Sequence, residues 1–485
     1  MDLEPTADAA PLSADAAPLS ADAAPPAGFE RIDAAPFPLL RASLPSGLTL
    51  WFAPKAGATS VFAELVFQAG GRYEDEATSG ASHMLEHMLF VGTERWTQAE
   101  VRAVIDRAGG VHNGFTGQEQ VGYWARLPAG ECATALDWLD QIAFHPTLPA
   151  DEFDREREVV FEERGGHDPW LIRTLHDFGV PMSLSEARGR AIFPGSSRSR
   201  PQIGDEASLD ALSIDQLRAF YAAHYTAENA DLVVVGDERP ADVLALAITT
   251  FEGLPHGARH QPPMDYGPPE LGGRDSSWSP QISDRCVVSL GARGPALDAP
   301  DAAAADVLAR YLDRVLEHDL RETRGITYGV SAWNYTLSDG GEFTVTVETD
   351  CSHKDEVADA VDALIDATAA GTVDAPRFEE ARSSRAGGDA LKLEGPTAWG
   401  DFVEERTTLA GPFARPVTPA RVAAVTSDDM VTVAQTWLKP NQRRIWFSRA
   451  ALTVTQAWIV GLGLGVPLAG WLGRRFWRWR RSRRG

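Results

Sequence analysis

Cysteine is scarce in this chain. Its 485 residues include three cysteines, Cys132, Cys286 and Cys351, which lie far apart and form no CxxC pair. An odd number of cysteines at such spacing gives no disulfide framework, and it excludes a metal site built from cysteine. We therefore expect buried structural thiols at all three positions.

Positive charge is also in short supply. The formal net charge is −24, whereas a face that binds phosphates needs clustered lysine and arginine. This excludes nucleic acid as a partner. The hydrophobic fraction of 44% and the charged fraction of 24% are those of a folded globular protein. A chain of this length exceeds one ordinary core, so we expect two similar domains.

The N-terminus lacks the features of a secretory signal. Residues 1–28 contain no basic region followed by an apolar stretch. They repeat the segment ADAAPLS and are rich in alanine and proline, which is typical of an extended flexible arm. We expect a disordered arm over residues 1–34. Either a signal lies upstream of this arm, or the chain enters a membrane by its other end alone.

The C-terminus has a long stretch without charge. Residues 450–473 contain no charged side chain, and seven arginines follow within 474–485. A helix of this length can cross a hydrocarbon core of roughly 30 Å. The alternative is a buried helix with a solvated basic tail. We expect a single-pass transmembrane helix at 450–473, with the Arg-rich tail in the cytoplasm and the globular part on the extracytoplasmic side.

The chain between these ends follows one plan twice. The first half has strand patterns in LTLWFAP and SVFAELVFQAG, then helix patterns in GASHMLEHMLF and TQAEVRAVIDRAGG. The second half has a strand pattern in CVVSLGARG, a helix pattern in DAAAADVLARYLDRVLEHDL and a hairpin that turns at Asp339-Gly340. The predicted fold class is therefore α+β, with two similar domains that each pack a mainly antiparallel sheet against helices.

The two halves also end alike. Tyr225 and Asn229 have the same four-residue spacing as Trp437 and Asn441 near the end of the second half. A stretch rich in proline and glycine separates the halves. The predicted domains are 35–255 and 280–449, joined by a linker at 256–279.

The strongest chemical pattern is His83-Met84-Leu85-Glu86-His87 on a predicted helix. Side chains four residues apart share a helix face, so two imidazoles can bind one Zn²⁺ at roughly 2.0–2.1 Å each. Glu86 can then reach a water molecule without binding the metal. This is the inverted form of the HExxH zinc signature. The alternative is a pair of structural histidines on an amphipathic helix.

A third metal ligand is expected on the helix ADEFDREREVVFEERGG. Helical spacing places Glu156 and Glu163 on an otherwise apolar stripe. A buried carboxylate without a partner is costly, so an inward pair implies a cation or strong donors. The alternative is that all the glutamates of this helix face water, as we expect of Glu158 and Glu162.

GASHMLEHMLFVGT together with REREVVFEE resembles the pitrilysin/insulysin (insulinase) family of zinc metallopeptidases. In length the chain is closest to the branch of the mitochondrial processing peptidase and its bacterial relatives. That family has its third ligand about 76 residues after the second histidine, and Glu163 follows His87 by 76. The resemblance implies that His83, His87 and Glu163 bind one Zn²⁺ per chain, that Glu86 is the general base, and that Glu156 supports the ligands.

Two further segments resemble the same family. GGVHNGFTGQEQVGYW is similar to the edge strand beside the zinc, where Asn113 contacts the peptide substrate. The sequence departs from the family pattern at Gly114, where alanine is usual, and at Val121, where threonine is usual. LRETRGITYGVSA is similar to the element in which an arginine and a tyrosine, here Arg321 and Tyr328, hold the substrate carbonyl.

The resemblance implies a zinc metalloendopeptidase that hydrolyses peptides or unfolded proteins, with Glu86 activating the attacking water. The uncharged run at 450–473 would anchor this enzyme in a membrane. A chain of two domains needs a partner to enclose its substrate. A homodimer could supply Arg321 and Tyr328 in trans, and a heterodimer with an inactive homologue is the alternative. An enclosed acidic chamber would favour basic peptides. The competing functions are a non-catalytic subunit of a membrane complex and a metal-dependent binding protein without turnover.

Overall fold

The computed structural model describes residues 24–168, 183–264, 266–409, 411, 413–454 and 456. These residues form two units, each built on one β-sheet with helices packed on it. All strand pairs are antiparallel except one in each sheet. The predicted α+β fold with two mainly antiparallel domains is therefore confirmed.

The first sheet has seven strands in the order β1-β2-β3-β7-β4-β6-β5. Its strands are β1 (Glu30–Arg31), β2 (Leu40–Ser43), β3 (Thr49–Pro54), β4 (Ser60–Phe67), β5 (Val111–Thr116), β6 (Val121–Pro128) and β7 (Ala230–Gly236). The second sheet has five strands in the order β10-β11-β9-β12-β8. Its strands are β8 (Arg274–Ile282), β9 (Arg285–Gly294), β10 (Thr327–Tyr335), β11 (Gly341–Asp350) and β12 (Arg443–Leu452).

Helices cover both sheets. Those in the first half are α1 (Ala81–Leu89), α2 (Gln98–Arg107), α3 (Cys132–Phe144), α4 (Ala150–Glu163), α5 (Leu184–Ile192), α6 (Glu206–Ala211), α7 (Ile214–His224) and α8 (Pro240–Thr250). Those in the second half are α9 (Ala302–Leu316), α10 (Lys354–Ala369), α11 (Ala375–Lys392), α12 (Pro396–Glu404), α13 (Pro419–Ala423) and α14 (Ser427–Trp437). A π-helical segment, Glu317–Thr323, continues α9.

The two sheets share one topology. β7 lies between β3 and β4, parallel to the first and antiparallel to the second. β12 lies between β8 and β9 with the same two orientations. Each half thus closes by inserting its last strand into the middle of its own sheet. It follows that β5 and β10 are equivalent strands, each at an edge of its sheet.

The strand β4 shows how alternation builds the cores. Leu65 and Phe67 belong to the apolar cluster beneath α1 and α3. Phe62 belongs to a different cluster on the opposite face of the same sheet. Successive side chains of a strand point to opposite faces, so a strand that is buried on both faces must be apolar at nearly every position. Each such side chain contributes roughly 1.5–3 kcal/mol on burial.

The two halves exchange helices. α12, from the second half, packs on the outer face of the first sheet, where Trp399 stacks on Phe37 with ring centroids 4.2 Å apart. α5, from the first half, packs on the second sheet, where Arg188 donates a 3.3 Å hydrogen bond from Nη1 to Ser289 Oγ. Each half therefore covers part of the other, and the halves are interlocked.

Some element boundaries differ from the predicted domain ranges. Glu30–Arg31 pairs with β2, inside the range predicted as a disordered arm, and residues 1–23 of that arm lie outside the described residues. The strand β8 begins at Arg274, within the predicted linker at 256–279. These strands pair across the chain, which local composition cannot reveal.

The predicted transmembrane helix at 450–473, and with it the membrane localisation, is wrong. Among the described residues no helix is long and apolar enough to cross a membrane. The first three residues of the uncharged run, 450–452, instead complete the strand β12, which extends through Leu452 and pairs with β8. The uncharged run thus begins with residues that belong to a sheet. Most of the remaining run, and the Arg-rich tail at 474–485, lie outside the described residues.

The expectation of three free thiols is wrong for two of them. Cys286 and Cys351 form a disulfide with their Cα atoms 4.9 Å apart. The register of β9 and β11 places Cys286 opposite Thr349, which brings Cys351 beside it. The two cysteines are 65 residues apart in sequence, so their spacing gave no sign of this pairing. Cys132 is a buried free thiol, as expected.

Candidate active site

The helix α1 carries the inverted zinc signature and is anchored at both its start and its inner face. Its inner face is buried through Met84, Leu85 and Met88. At its first turn, Glu74 accepts hydrogen bonds from the backbone N–H groups of Gly80, at 2.8 Å, and Ser82, at 2.7 Å. A carboxylate at this position satisfies N–H groups that the helix itself leaves unpaired. The histidines of α1 are thereby held in a fixed orientation.

His83, His87 and Glu163 come together at the open side of α1. One ligand atom from each lies within 4.8 Å of the others. Glu163 Oε2 is 3.2 Å from His87 Nε2 and 3.7 Å from His83 Nε2. Ligands at 2.0–2.1 Å around a tetrahedral zinc are separated by about 3.4 Å. The two separations that involve Glu163 are therefore close to the spacing around a zinc ion, and all three donors are of the types that zinc prefers.

Glu156 lies behind the candidate ligands. Its Oε2 is 3.3 Å from His87 Nδ1, the ring nitrogen that does not face Glu163. Burial lowers the pKa of His87, but the bond to Glu156 and the charges of Glu86 and Glu163 outweigh it and raise the pKa overall. A carboxylate on the far nitrogen fixes the tautomer and orientation of a metal-binding imidazole. Glu156 thus contacts a candidate ligand, and its supporting role stays a prediction.

The exposure of the α4 glutamates differs in part from the expected pattern. Glu156 is 14% exposed and faces inward, but Glu163 is 52% exposed because it is the last residue of α4, at the open side of the site. Glu158 and Glu162 face water, as expected. The candidate third ligand is therefore not buried by packing. Its carboxylate reaches the histidines from the end of the helix, with Oε2 3.2 Å from His87 Nε2.

Two residues of β5 set the position of the Glu86 side chain. Thr116 Oγ1 donates a 2.6 Å hydrogen bond to Glu86 Oε2. A Cβ atom on Gly114 would lie 2.9 Å from Glu86 Cγ, so the absence of a side chain there leaves room for the carboxylate. Thr116 was not singled out in the sequence. The alternation of β5, which places residues 112, 114 and 116 on one face, could have shown it.

The surroundings of the site lower the pKa of His83 and raise the pKa of Glu86. Burial, and then the charge of His87, lower the pKa of His83 to about 4. Burial raises the pKa of Glu86, although the Thr116 bond and His87 oppose it. A neutral imidazole is the form that binds a metal, and a carboxylate with a raised pKa is a better proton acceptor near neutral pH. His83 Nδ1 is buried and has no hydrogen-bond partner within the part of the chain that the structure describes.

The strand β5 presents an open edge beside Glu86. It is the last strand of the first sheet, and Asn113 on it is exposed. Because side chains alternate along a strand, Asn113 points to the face opposite Gly114 and Thr116. An unpaired strand edge can accept an extended peptide as an additional strand.

Arg321 and Tyr328 lie on the second half and contact other partners. Arg321 Nη1 donates a 2.7 Å hydrogen bond to Glu317 Oε1 within the π-helical segment. Tyr328, at the start of the edge strand β10, donates a 3.2 Å hydrogen bond to Asp350 Oδ1. Within the described part of the chain neither side chain bonds to the histidines or glutamates of the candidate metal site. The structure does not bring these two residues together with the zinc signature.

A cavity of about 510 Å³ lies between the halves. Phe115 and Gly117, the neighbours of Thr116, form part of its wall. The acidic residues that line it are Glu119, Asp306, Asp389, Asp401, Glu404 and Glu405, and the basic ones are Arg385, Lys392 and Arg406. Burial, then the charges of Glu405 and Asp401, raise the pKa of Glu404 well above its usual range. The cavity thus carries an excess of carboxyl groups next to the strand that holds Glu86.

Two models of one protein family match this chain. The family model described as insulinase (peptidase family M16) matches residues 53–174. The model described as the peptidase M16 inactive domain matches residues 211–385. The first of these ranges contains His83, Glu86, His87 and Glu163, and the second contains Arg321 and Tyr328.

Relatives and solved structures extend the similarity over most of the chain. An uncharacterised zinc protease of Mycobacterium leprae is 27% identical over 364 residues, 74% of this chain and 80% of that protein. The mitochondrial-processing peptidase subunit beta of Blastocladiella emersonii is 29% identical over 215 residues, 44% of each chain. A protease from Helicobacter pylori has the same fold, with a TM-score of 0.75 at 21% identity, covering 85% of this chain and 99% of that one. This chain belongs to the peptidase M16 (insulinase) family.

Proposed function

We propose that this chain is a zinc metalloendopeptidase. The observation that carries the proposal is the convergence of His83, His87 and Glu163 beside Glu86, whose carboxylate is held by Thr116. A set of metal donors next to a separately positioned base is what hydrolysis of a peptide bond by water requires. The names of the zinc-protease relatives support the same chemistry.

The residues of the chain have distinct roles in this proposal. His83, His87 and Glu163 would bind the metal, which supplies a Lewis acid for the scissile carbonyl and a more acidic water. Glu86 Oε2 is engaged by Thr116, and Oε1 has no hydrogen bond among the described residues, so Oε1 takes the proton from water and passes it to the leaving amine. The open edge of β5 would pair with the substrate backbone, and Asn113 would contact the peptide.

In this proposal, Arg321 and Tyr328 stabilise the oxyanion that develops on the scissile carbonyl. Cationic and hydroxyl donors aimed at a developing oxyanion can lower the barrier by several kcal/mol. Neither residue contacts the metal-binding side chains of its own chain in the described structure, so we propose that a homodimer supplies them in trans. A heterodimer with an inactive homologue is the alternative partner.

The substrate class is an extended peptide or an unfolded protein with basic side chains. Asp401 and Glu404 line the cavity without an ion pair among the described residues, and they support this preference, because a basic side chain would stabilise their charged forms. Cleavage of acidic and basic peptides at equal rates would remove the preference for basic side chains from the proposal.

The test of the activity compares the full chain with its Glu86→Gln variant. We expect about one zinc per chain in both proteins by metal analysis, and cleavage of a quenched fluorescent peptide library only by the parent. A parent that binds no zinc contradicts the metal site. A parent that binds zinc and cleaves nothing favours the competing function, a non-catalytic subunit.

The test of the partner is complementation between two inactive variants. Glu86→Gln lacks the base and Tyr328→Phe lacks the oxyanion donor, so each alone should have low activity. If the donor acts in trans, mixing the two should restore about a quarter of the parent activity, since half the dimers are mixed and each has one complete site. No gain on mixing, with subunit exchange shown by labelled chains, would exclude the trans arrangement.

A further inference from the structure

Tyr328 is the extra residue of a β-bulge at the start of β10. Thr327 pairs with Thr349 and Gly329 pairs with Glu348, so Tyr328 has no residue opposite it on β11. Thr327 Oγ1 closes the bulge, donating a 2.5 Å hydrogen bond to the carbonyl of Glu348. A bulge changes the direction of a side chain relative to its strand. The ring of Tyr328 is 47% exposed, so its position depends on the few contacts that it makes.

Two side chains from neighbouring strands hold this ring. The hydroxyl of Tyr328 donates its 3.2 Å hydrogen bond to Asp350 Oδ1. The guanidinium carbon of Arg285 lies 4.4 Å from the ring centroid, within the range of a cation–π interaction. Asp350 and Arg285 are directly opposite each other on β11 and β9. One pair of residues in the sheet thus supplies both contacts to Tyr328.

This pair is the last one between β9 and β11. β9 begins at Arg285 and β11 ends at Asp350. The end of a ladder opens more readily than its middle. Beyond this pair the backbone N–H of Cys351 donates a 3.3 Å hydrogen bond to the carbonyl of Asp284, and the disulfide joins Cys351 to Cys286, which follows Arg285 on β9. The covalent bond therefore holds the pair closed.

We propose that the Cys286–Cys351 disulfide, through Arg285 and Asp350, positions Tyr328 for stabilisation of the oxyanion, so that peptide hydrolysis depends on the oxidised state of this bond. The inference rests on the role proposed for Tyr328. Arg285 and Asp350 are positioning residues, since they act on the substrate only through the tyrosine. The hydroxyl of Tyr328 has one proton, so it exchanges the bond to Asp350 for a bond to the oxyanion, while Arg285 keeps the ring in place. When the bond is reduced, the terminal pair opens more often and Tyr328 loses both of its partners.

The reducing agent for the test is a water-soluble trialkylphosphine. It gives two electrons to the sulfur–sulfur bond, and water supplies the two protons and the oxygen that turns the phosphine into its oxide. The products are two thiols and one phosphine oxide. A phosphine is preferred to a dithiol because thiolates are themselves zinc ligands.

The experiment measures kcat and KM of the full chain before and after reduction, with the number of free thiols counted in each sample. Reduction should lower kcat about five-fold, the effect of losing one hydrogen bond in the transition state, and leave KM unchanged. Cys351→Ser should show the lower kcat without reductant and no further loss with it. Cys132→Ala, which keeps the disulfide, should respond as the parent does. Zinc content and melting temperature, measured alongside, identify a variant that has lost its fold.

The decisive comparison uses Tyr328→Phe, which keeps the ring over Arg285 but has no hydroxyl. Its kcat should be low and should not respond to the phosphine. An equal fold-loss on reduction in Tyr328→Phe and in the parent would overturn the inference, because the disulfide would then act elsewhere. Full kcat in a parent with its thiols counted as free would also overturn it. If Tyr328→Phe is as active as the parent, the role of Tyr328 itself fails, which is a failure of the proposed function.

Discussion

Thr116 Oγ1 donates a 2.6 Å hydrogen bond to Glu86 Oε2. This bond joins the edge strand β5 to the helix α1, so the strand that would bind the substrate also orients the base that acts on it. It leaves Glu86 Oε1 for the proton transfer.

Replacing Thr116 by valine should lower kcat about ten-fold. Valine has nearly the same shape as threonine but cannot donate, and a hydrogen bond to a charged group contributes roughly 1.5–3 kcal/mol. Steady-state kinetics on a fluorescent peptide measure the loss, and metal analysis should show unchanged zinc. Thr116→Ser keeps the donor and should stay within a factor of about two of the parent. A normal kcat in the valine variant would mean that Glu86 needs no support from β5.

Replacing Glu163 by glutamine should reduce zinc binding. The amide has no negative charge and is a poor zinc ligand, so one of three protein donors is lost. Metal analysis after dialysis against a weak chelator should give less than half of the parent zinc content. The matched control is Glu162→Gln on the adjacent, exposed residue of α4, which should keep its zinc. Equal zinc in both variants would show that the third ligand is not Glu163.

Gly400→Ala should destabilise the whole protein. A Cβ on Gly400 of α12 would lie 2.2 Å from Phe62 of the first sheet, so α12 would have to move away from that sheet. Overpacking of this kind typically costs about 1–3 kcal/mol. Thermal unfolding should show a lower melting temperature.

The matched control for this change is Gly387→Ala in the helix α11. A Cβ there meets no atom within 4 Å, and alanine is favoured over glycine inside a helix by roughly 0.5–1 kcal/mol. This variant should melt slightly above the parent. If Gly400→Ala has the same melting temperature as Gly387→Ala, the contact between α12 and the first sheet does not stabilise the fold.

His224 should make the protein less stable in mild acid. Its ring is buried against Phe220 and lies 4.5 Å from the ring of His260. Burial, and then the charge of His260, lower its pKa from 6.5 to about 4. The unfolded chain therefore takes up the proton at a higher pH than the folded one.

The free energy of unfolding should then fall as the pH drops from about 6.5 to about 4, by up to about 3 kcal/mol from this residue. Below that range the contribution is constant. Urea unfolding of the parent and of His224→Gln across this range measures the effect as the difference between two curves. Parallel curves would mean that His224 is protonated in the folded protein as easily as in the unfolded one.

The helices around the candidate site could be predicted from the sequence alone. The periodicity of residues 81–89 and 150–163 predicted α1 and α4, because an amphipathic helix must repeat its apolar side chains every three or four residues. The spacing of His83 and His87 predicted two metal ligands on one helix face, and the resemblance to the family implied Glu163 as the third. The duplication was also visible, since each half ends with the same pattern before its last strand.

Contacts between segments that are distant in the chain could not be predicted in this way. The bond from Thr116 to Glu86, the disulfide of Cys286 with Cys351, and the exchange of α5 and α12 between the halves all depend on sheet register and packing. The same holds for residues 450–452, whose lack of charge suggested a membrane helix but which pair with β8. The periodicity of a segment shows which of its faces is buried. It does not show which other segment covers that face, because this depends on the packing of the whole chain.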